Sequence, residues 1–177
     1  IINSQGLLYK IERESRKKEL INTSFANRCN NDHGISPDGK QLVISNGIEI
    51  SPGNYSSAIF ILHIDGGDPK QITEKTPSYW HGWSPDGMTL AFVGNRNNDY
   101  DIYTIPVTGG PEKQLTTSKG LDDGPEYSPD GKYIYYSEHA SVPGDKTTLF
   151  RIPANGGTPE KIWEISRPWP RRSRRGQ

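Results

Sequence analysis

The tetrapeptide Ser-Pro-Asp-Gly occurs three times in this chain, beginning at Ser36, Ser84 and Ser128, at spacings of 48 and 44 residues. A Gly-Gly pair recurs out of phase with it, at Gly66-Gly67, Gly109-Gly110 and Gly156-Gly157, spaced 43 and 47. Two unrelated markers sharing one period impose a repeat architecture on whatever fold the chain adopts. Each marker also dictates a reversal. In Ser-Pro-Asp-Gly, Pro presets φ at the second turn position, Asp bonds locally to backbone, and Gly closes the turn. Gly-Gly supplies the positive φ of a tight corner.

The segments between the corners read as strands. Apolar runs follow each Ser-Pro-Asp-Gly: Leu42-Val43-Ile44, Leu90-Ala91-Phe92-Val93 and Ile134-Tyr135-Tyr136. Counting back from Gly-Gly aligns Phe60 with Tyr103 and Phe150, then Leu62 with Ile105 and Ile152, then Ile64 with Val107 and Ala154. That is one face of a period-2 strand. A short closing strand follows Gly-Gly, at Lys70 to Thr73, Lys113 to Thr116 and Glu160 to Trp163. Another precedes Ser-Pro-Asp-Gly, at 33–35, 81–83 and 125–127. Four strands in roughly 45 residues is the signature of a propeller blade.

The expected fold class is therefore all-β: β-propeller blades of four antiparallel strands, with full blades at 33–73, 81–116 and 125–163. The outer half of another blade is expected at 6–23, where Tyr9 and Ile11 match Tyr103 and Ile105. The charged run Glu12 to Lys18 is its solvated hairpin tip. No segment keeps a 3.6-residue period, so a helical solenoid is excluded. Apolar residues make up only 31% of the chain, which suits many short strands with polar outer faces and not one thick core.

Charge and composition exclude several functions. Basic and acidic residues balance at 21 each, so no nucleic-acid partner is expected. The single cysteine, Cys29, rules out an intrachain disulfide. No apolar run reaches the length of a membrane-spanning helix. There is no Gly-x-Ser-x-Gly nucleophile elbow, P-loop or dinucleotide fingerprint. Cys29 with His33 four residues on is not read as a catalytic pair.

At these residues the chain resembles the WD40-like (PD40) propeller repeats of the TolB family. Trp83-Ser84-Pro85-Asp86-Gly87, Leu90-Ala91-Phe92, Asp101-Ile102-Tyr103, Gly109-Gly110 and Leu115-Thr116 follow that repeat almost without gaps. The segments Asn31 to Gly34, Tyr79 to Ser84 and Asp122 to Pro125 look like a bacterial TolB-related subgroup. The likeness covers about residues 6–163. It implies a protein-interaction role, a protein partner, and a place in the periplasm or cell envelope. It also implies a ring of more blades than are countable here. Residues 1–165 carry the blades; 166–177, with five Arg between Arg167 and Arg175, read as a disordered basic Pro/Arg tail. Three explanations are open: a fragment, a truncated product with an unrelated tail, or an open array that pairs with another chain.

In propellers of this kind the innermost strands line a central channel. The resemblance therefore directs attention to Asp32, His33, Trp80, His81, Asp123 and Glu126, which precede the Ser-Pro-Asp-Gly turns. His33 and His81 are equivalent by count and, with nearby carboxylates, can hold a divalent metal. No other cofactor is expected. Trp80 and Tyr79 can stack on a sugar or peptide ligand. The plainer expectation is that both histidines bond to neighbouring backbone and join the blades. Asn95 to Asp101 is rich in oxygen donors but lacks the Gly and terminal Glu of an EF-hand, so Asp101 is expected to brace its hairpin. Glu49 to Ser57 is expected to lengthen the matching loop of the preceding blade.

Three functions follow from these readings. The first is a non-catalytic scaffold for protein or small-ligand recognition in the envelope. The second is a lyase-like, metal-dependent enzyme with His33 and His81 in the channel. The third is a piece of a longer propeller with no activity of its own.

Blades bury their faces against neighbours, so open ends leave apolar faces and strand edges uncovered. The isolated chain should be marginally stable or self-associate. Sedimentation velocity checks this: a clean monomer combined with high, cooperative thermal stability would contradict it.

Overall fold

The structure, a computed structural model, describes residues 1–139 and 146–165. The expected tail at 166–177 lies outside the described residues.

Among the described residues there are only strands and turns, arranged as four consecutive antiparallel meanders. The first sheet holds β1 (Ile2–Ser4), β2 (Leu7–Ile11) and β3 (Lys18–Leu20). The first full blade holds β4 (Cys29–Ile35), β5 (Gln41–Ser51), β6 (Asn54–His63) and β7 (Lys70–Gln71). The second holds β8 (Ser78–Trp83), β9 (Thr89–Arg96), β10 (Asp99–Pro106) and β11 (Lys113–Gln114). The third holds β12 (Leu121–Tyr127), β13 (Tyr133–His139), β14 (Thr147–Pro153) and β15 (Glu160–Ile165). These are propeller blades in an open arc, not a closed ring.

Two sequence expectations need correction. The N-terminal sheet is more than an outer half: β1 pairs with β2 through Ile2–Tyr9, Asn3–Leu8 and Ser4–Leu7. Relative to a full blade it lacks only the innermost strand. The innermost strands also begin earlier than expected, at Cys29, Ser78 and Leu121. Each contains a break in pairing, between Cys29 and His33, Trp80 and Gly82, and Asp123 and Glu126. A bulge interrupts the period-2 pattern, so the polar residues upstream do not read as strand.

The three Ser-Pro-Asp-Gly turns are one structure repeated. Each Ser hydroxyl donates to the Asp two residues on, at 2.6, 2.6 and 2.7 Å. The same hydroxyl accepts the backbone N–H of Gln41, Thr89 or Tyr133, at 2.9, 2.9 and 3.0 Å, which opens the next strand. Gly39, Gly87 and Gly131 take φ of 74°, 74° and 70°. These bonds hold Asp38, Asp86 and Asp130 below the ordinary carboxylate value, the serine bond contributing most.

Alternation along the strands gives each blade two apolar faces. Leu42, Ile44, Phe60 and Leu62 pack with Leu8 and Ile21 of the first sheet. The opposite face, Val43, Ile59 and Ile61, packs with Leu90, Phe92, Tyr103 and Ile105. Ala91, Val93 and Ile102 in turn meet Ile134, Tyr136 and Ile152. The core is thus a series of three inter-blade seams. Stacked cross-strand pairs strengthen two of the blades, Phe92 with Tyr103 and Tyr136 with Phe150, each at 5.6 Å.

Glycine sets how closely the innermost strands approach. A β-carbon on Gly34 would run into the six-membered ring of Trp80. One on Gly82 would sit 2.6 Å from the Pro125 carbonyl oxygen. Gly34→Ala should therefore lower stability by about 1–3 kcal/mol through overpacking. Gly47→Ala is the control, because its β-carbon would make ordinary contacts of 3.4 Å or more. Urea denaturation of both variants checks this, and equal midpoints would refute the packing account.

Candidate functional site

An open cavity of about 630 Å³ lies where the innermost strands of the three full blades meet. Asp32 of β4, Tyr79 and His81 of β8, and Leu121 and Asp123 of β12 line it, with Val93 and Tyr100 from the tip half of the β9–β10 hairpin. The bulges explain which side chains arrive there. Asp32 lies in the unpaired stretch of β4 before His33. His81 is the unpaired residue of β8, skipped between the Trp80–Phe92 and Gly82–Ala91 pairs. Asp123 is the last paired residue before the break in β12.

Three of the six residues expected at the channel, Asp32, His81 and Asp123, line this cavity; His33, Trp80 and Glu126 do not. His33 pairs with Ile44 in the ladder, and its Nδ1 is buried without a hydrogen-bond partner. Trp80 serves the seam between blades. Its ring lies against Gly34, and its backbone N–H donates to Ser45 Oγ at 2.8 Å. Glu126 is exposed and pairs with Tyr135. Among the described residues, no group of three or more His, Cys, Asp or Glu gathers in a way that could hold a metal ion.

The cavity's electrostatics are asymmetric. His81 Nε2 stands 3.3 Å from Asp123 Oδ1. That contact holds the Asp123 carboxyl below its ordinary value, helped by the Gly124 N–H at 2.8 Å. Asp32 moves the other way. Burial raises its carboxyl, the Asp123 charge adds to the rise, and His81 and the 2.6 Å bond from Asn30 Nδ2 oppose it. A carboxylate held in a partly desolvated site beside a second one favours a cation in the space between them. Tyr79 and Tyr100 put aromatic rings on the same walls, a second attraction for an ammonium or guanidinium.

Two further segments take unexpected roles. Asn95 to Asp101 forms a hairpin whose tip residues Asn97 and Asn98 take φ of 55° and 64°, the geometry of a two-residue turn. Asp101 braces the outer strand more than the hairpin: its oxygens accept from Gln114 Nε2 at 2.8 Å and Thr116 Oγ1 at 3.2 Å. Arg96 is held by Glu112 through two bonds of 2.8 and 2.9 Å and donates to the Pro77 carbonyl at 2.7 Å. Glu49 to Ser57 is not a loop. β5 and β6 extend to Ser51 and Asn54, and the Gly53 N–H caps Glu49 Oε1 at 2.8 Å. Sequence reading missed Val93, Tyr100 and Leu121. The Tyr79–Val93 register places Val93 beside the bulged strand, and only strand pairing reveals that.

The comparisons with known proteins agree with the blade architecture. The model of the PD40 family, described as TolB beta propeller domain, matches residues 48–176. The chain belongs to the TolB β-propeller domain family. An uncharacterized protein of Agrobacterium fabrum is 41% identical over 163 residues, covering 92% of this chain and 53% of that protein. A solved TolB-like protein from Agrobacterium tumefaciens superposes with a TM-score of 0.82 at 41% identity, over 91% of this chain and 56% of that one. A TolB homolog of Chlorobium luteolum is 30% identical over 100 residues, 55% of this chain and 21% of its own length. The chain thus spans about half the length of the first two of these TolB-type relatives, and less of the third.

Alternation sends Asp122, beside Asp123, into the blade interior. It is fully buried, and Ser118 Oγ lies 3.0 Å from both of its oxygens. Burial raises its carboxyl from 3.8 to about 6. Between those values the folded chain keeps a proton that the unfolded chain releases, so this site's contribution to stability falls as pH rises through the window and is constant above it. Asp122→Asn should raise the melting temperature at pH 7.5 and reduce its rise on acidification to pH 4.5. Calorimetric melts at the two pH values check this; an unchanged pH slope would contradict it.

Proposed function

We propose that this TolB-family segment is a non-catalytic recognition propeller of the bacterial envelope, which binds a protein or peptide partner through a cationic group in the cavity between Asp32 and Asp123. The observation that carries the reading is the cavity itself. Carboxylates from the first and third blades face one space around His81 of the second, with Tyr79 and Tyr100 as aromatic walls. No serine, cysteine or lysine nucleophile is among its described lining residues. Similarity to a TolB homolog supports the envelope setting and the protein partner.

Charged contacts of this kind are strong when partly desolvated, and truncating one side of such a pair costs about 2–5 kcal/mol. The double variant Asp32→Asn, Asp123→Asn should lose more than tenfold in retention of an envelope-extract protein that the parent chain holds at low salt. The double variant keeps the shape of both side chains, so circular dichroism should be unchanged. Equal retention by parent and variant would rule the cavity out as the recognition site.

A further inference from the structure

A second cavity of about 380 Å³ adjoins the first, and Tyr79 is a wall of both. Its chemistry is opposite. Arg28, at the entry to β4, lies on it with Asn30, Ser56 and Ser57. The Arg28 guanidinium stacks on the Tyr55 ring at 3.8 Å and makes no hydrogen bond or ion pair among the described residues. Ser57 Oγ is buried and has no hydrogen-bond partner. A pre-stacked guanidinium with uncommitted donors, beside an unsatisfied hydroxyl, is a receptor for a planar anion such as a carboxylate.

The two cavities are connected along one strand. Arg28 and Asn30 line the second cavity and Asp32 the first, all within five consecutive residues where the chain enters the blade. Asn30 ties the ends together: it lines the cationic cavity and donates from Nδ2 to Asp32 at 2.6 Å. At about 3.3 Å per residue the Arg28 and Asp32 α-carbons are at most about 13 Å apart. An extended peptide of three or four residues spans about 10–14 Å between its termini.

We propose that the paired cavities bind a short peptide with both termini free: its ammonium between Asp32 and Asp123, its carboxylate on Arg28 and Ser57, and its middle across Tyr79. This rests on the cation-binding reading of the first cavity and adds a ligand length, a polarity and a free C-terminus. Recognition by both ends excludes internal segments of a folded partner. It selects fragments such as those that peptide-bond hydrolysis releases.

The test is isothermal titration calorimetry of the full chain with tri- and tetra-L-alanine, their C-terminal amides and their N-acetyl forms. The free peptides should bind at least tenfold more tightly than either blocked form. Arg28→Ala should abolish the difference between free and amidated peptide while keeping the difference made by acetylation. Asp32→Asn should do the reverse. Arg28 is exposed, so its variant should fold, and circular dichroism verifies that. If amides bind as well as free peptides while acetylation still weakens binding, the carboxylate site is wrong and the cation site stands. If acetylation has no effect either, or nothing binds, both readings fall.

Discussion

Each blade in this chain is too thin to have an interior of its own. Its strands are two residues deep in side chains, one layer up and one layer down, so every buried residue depends on a neighbouring sheet. The contact that makes this possible is the close approach of adjacent blades at their inner strands. There the chain places Gly34 against the Trp80 ring and Gly82 against the Pro125 backbone. A side chain at either point would wedge the blades apart and loosen the seams that hold Phe60, Phe92 and Ile134 fully or almost fully buried. Stability in such an array is a sum over seams, and the first sheet's outward face shows what an unpartnered one looks like. Ile2, Ile11 and Leu20 are 39%, 43% and 55% exposed there.

The rim is fastened by a second repeating device. The Gly67 N–H donates to the Asn22 carbonyl at 2.8 Å, docking the corner of one blade on the outer edge of the sheet before it. Lys70 Nζ reaches the Thr108 carbonyl at 3.0 Å, and Lys113 Nζ reaches that of Asn155 at 2.5 Å, so each outer strand holds the next blade's corner. Thr73 and Thr116 close the outer strands by accepting the Ile59 and Ile102 N–H groups, both at 2.9 Å. The third blade departs from this pattern. Three residues after its Gly-Gly stands Glu160 in place of lysine, bonded to Arg151 of its own blade, and Trp163 replaces the threonine. Among the described residues its outer strand is held within the blade.

The corners and the core were legible in the sequence because their causes are local. A Pro-Asp-Gly turn and a double glycine carry their geometry in their own atoms, and alternation of apolar residues follows from the pleat. Phe60, Tyr103 and Phe150 align by counting and do occupy one position in their blades. The channel residues were legible only in part, because counting assumes unbroken pairing. His33 and His81 both stand three residues before a serine, yet His33 is in the ladder opposite Ile44 while His81 is in a bulge. By ladder position the equivalent of His33 in the second blade is Trp80, the residue opposite Phe92. That is why a tryptophan expected to face a ligand lies in the seam instead. The glycines beside the two histidines, Gly34 and Gly82, are the residues the packing needs.

Bulging is also what allows a recognition surface to exist on so regular a frame. A perfectly paired inner strand would alternate strictly between its two sides, and equivalent positions of successive blades would present equivalent side chains. Three differently placed breaks instead bring Asp32, His81 and Asp123 to one cavity from three blades while sending Asp122 into the interior. The regular parts of the repeat fix the distances between those side chains, and the irregular parts choose which of them face the solvent. A change to the seams would therefore reach the cavity by moving whole blades. A change at a bulge would alter the cavity's charge without disturbing the frame.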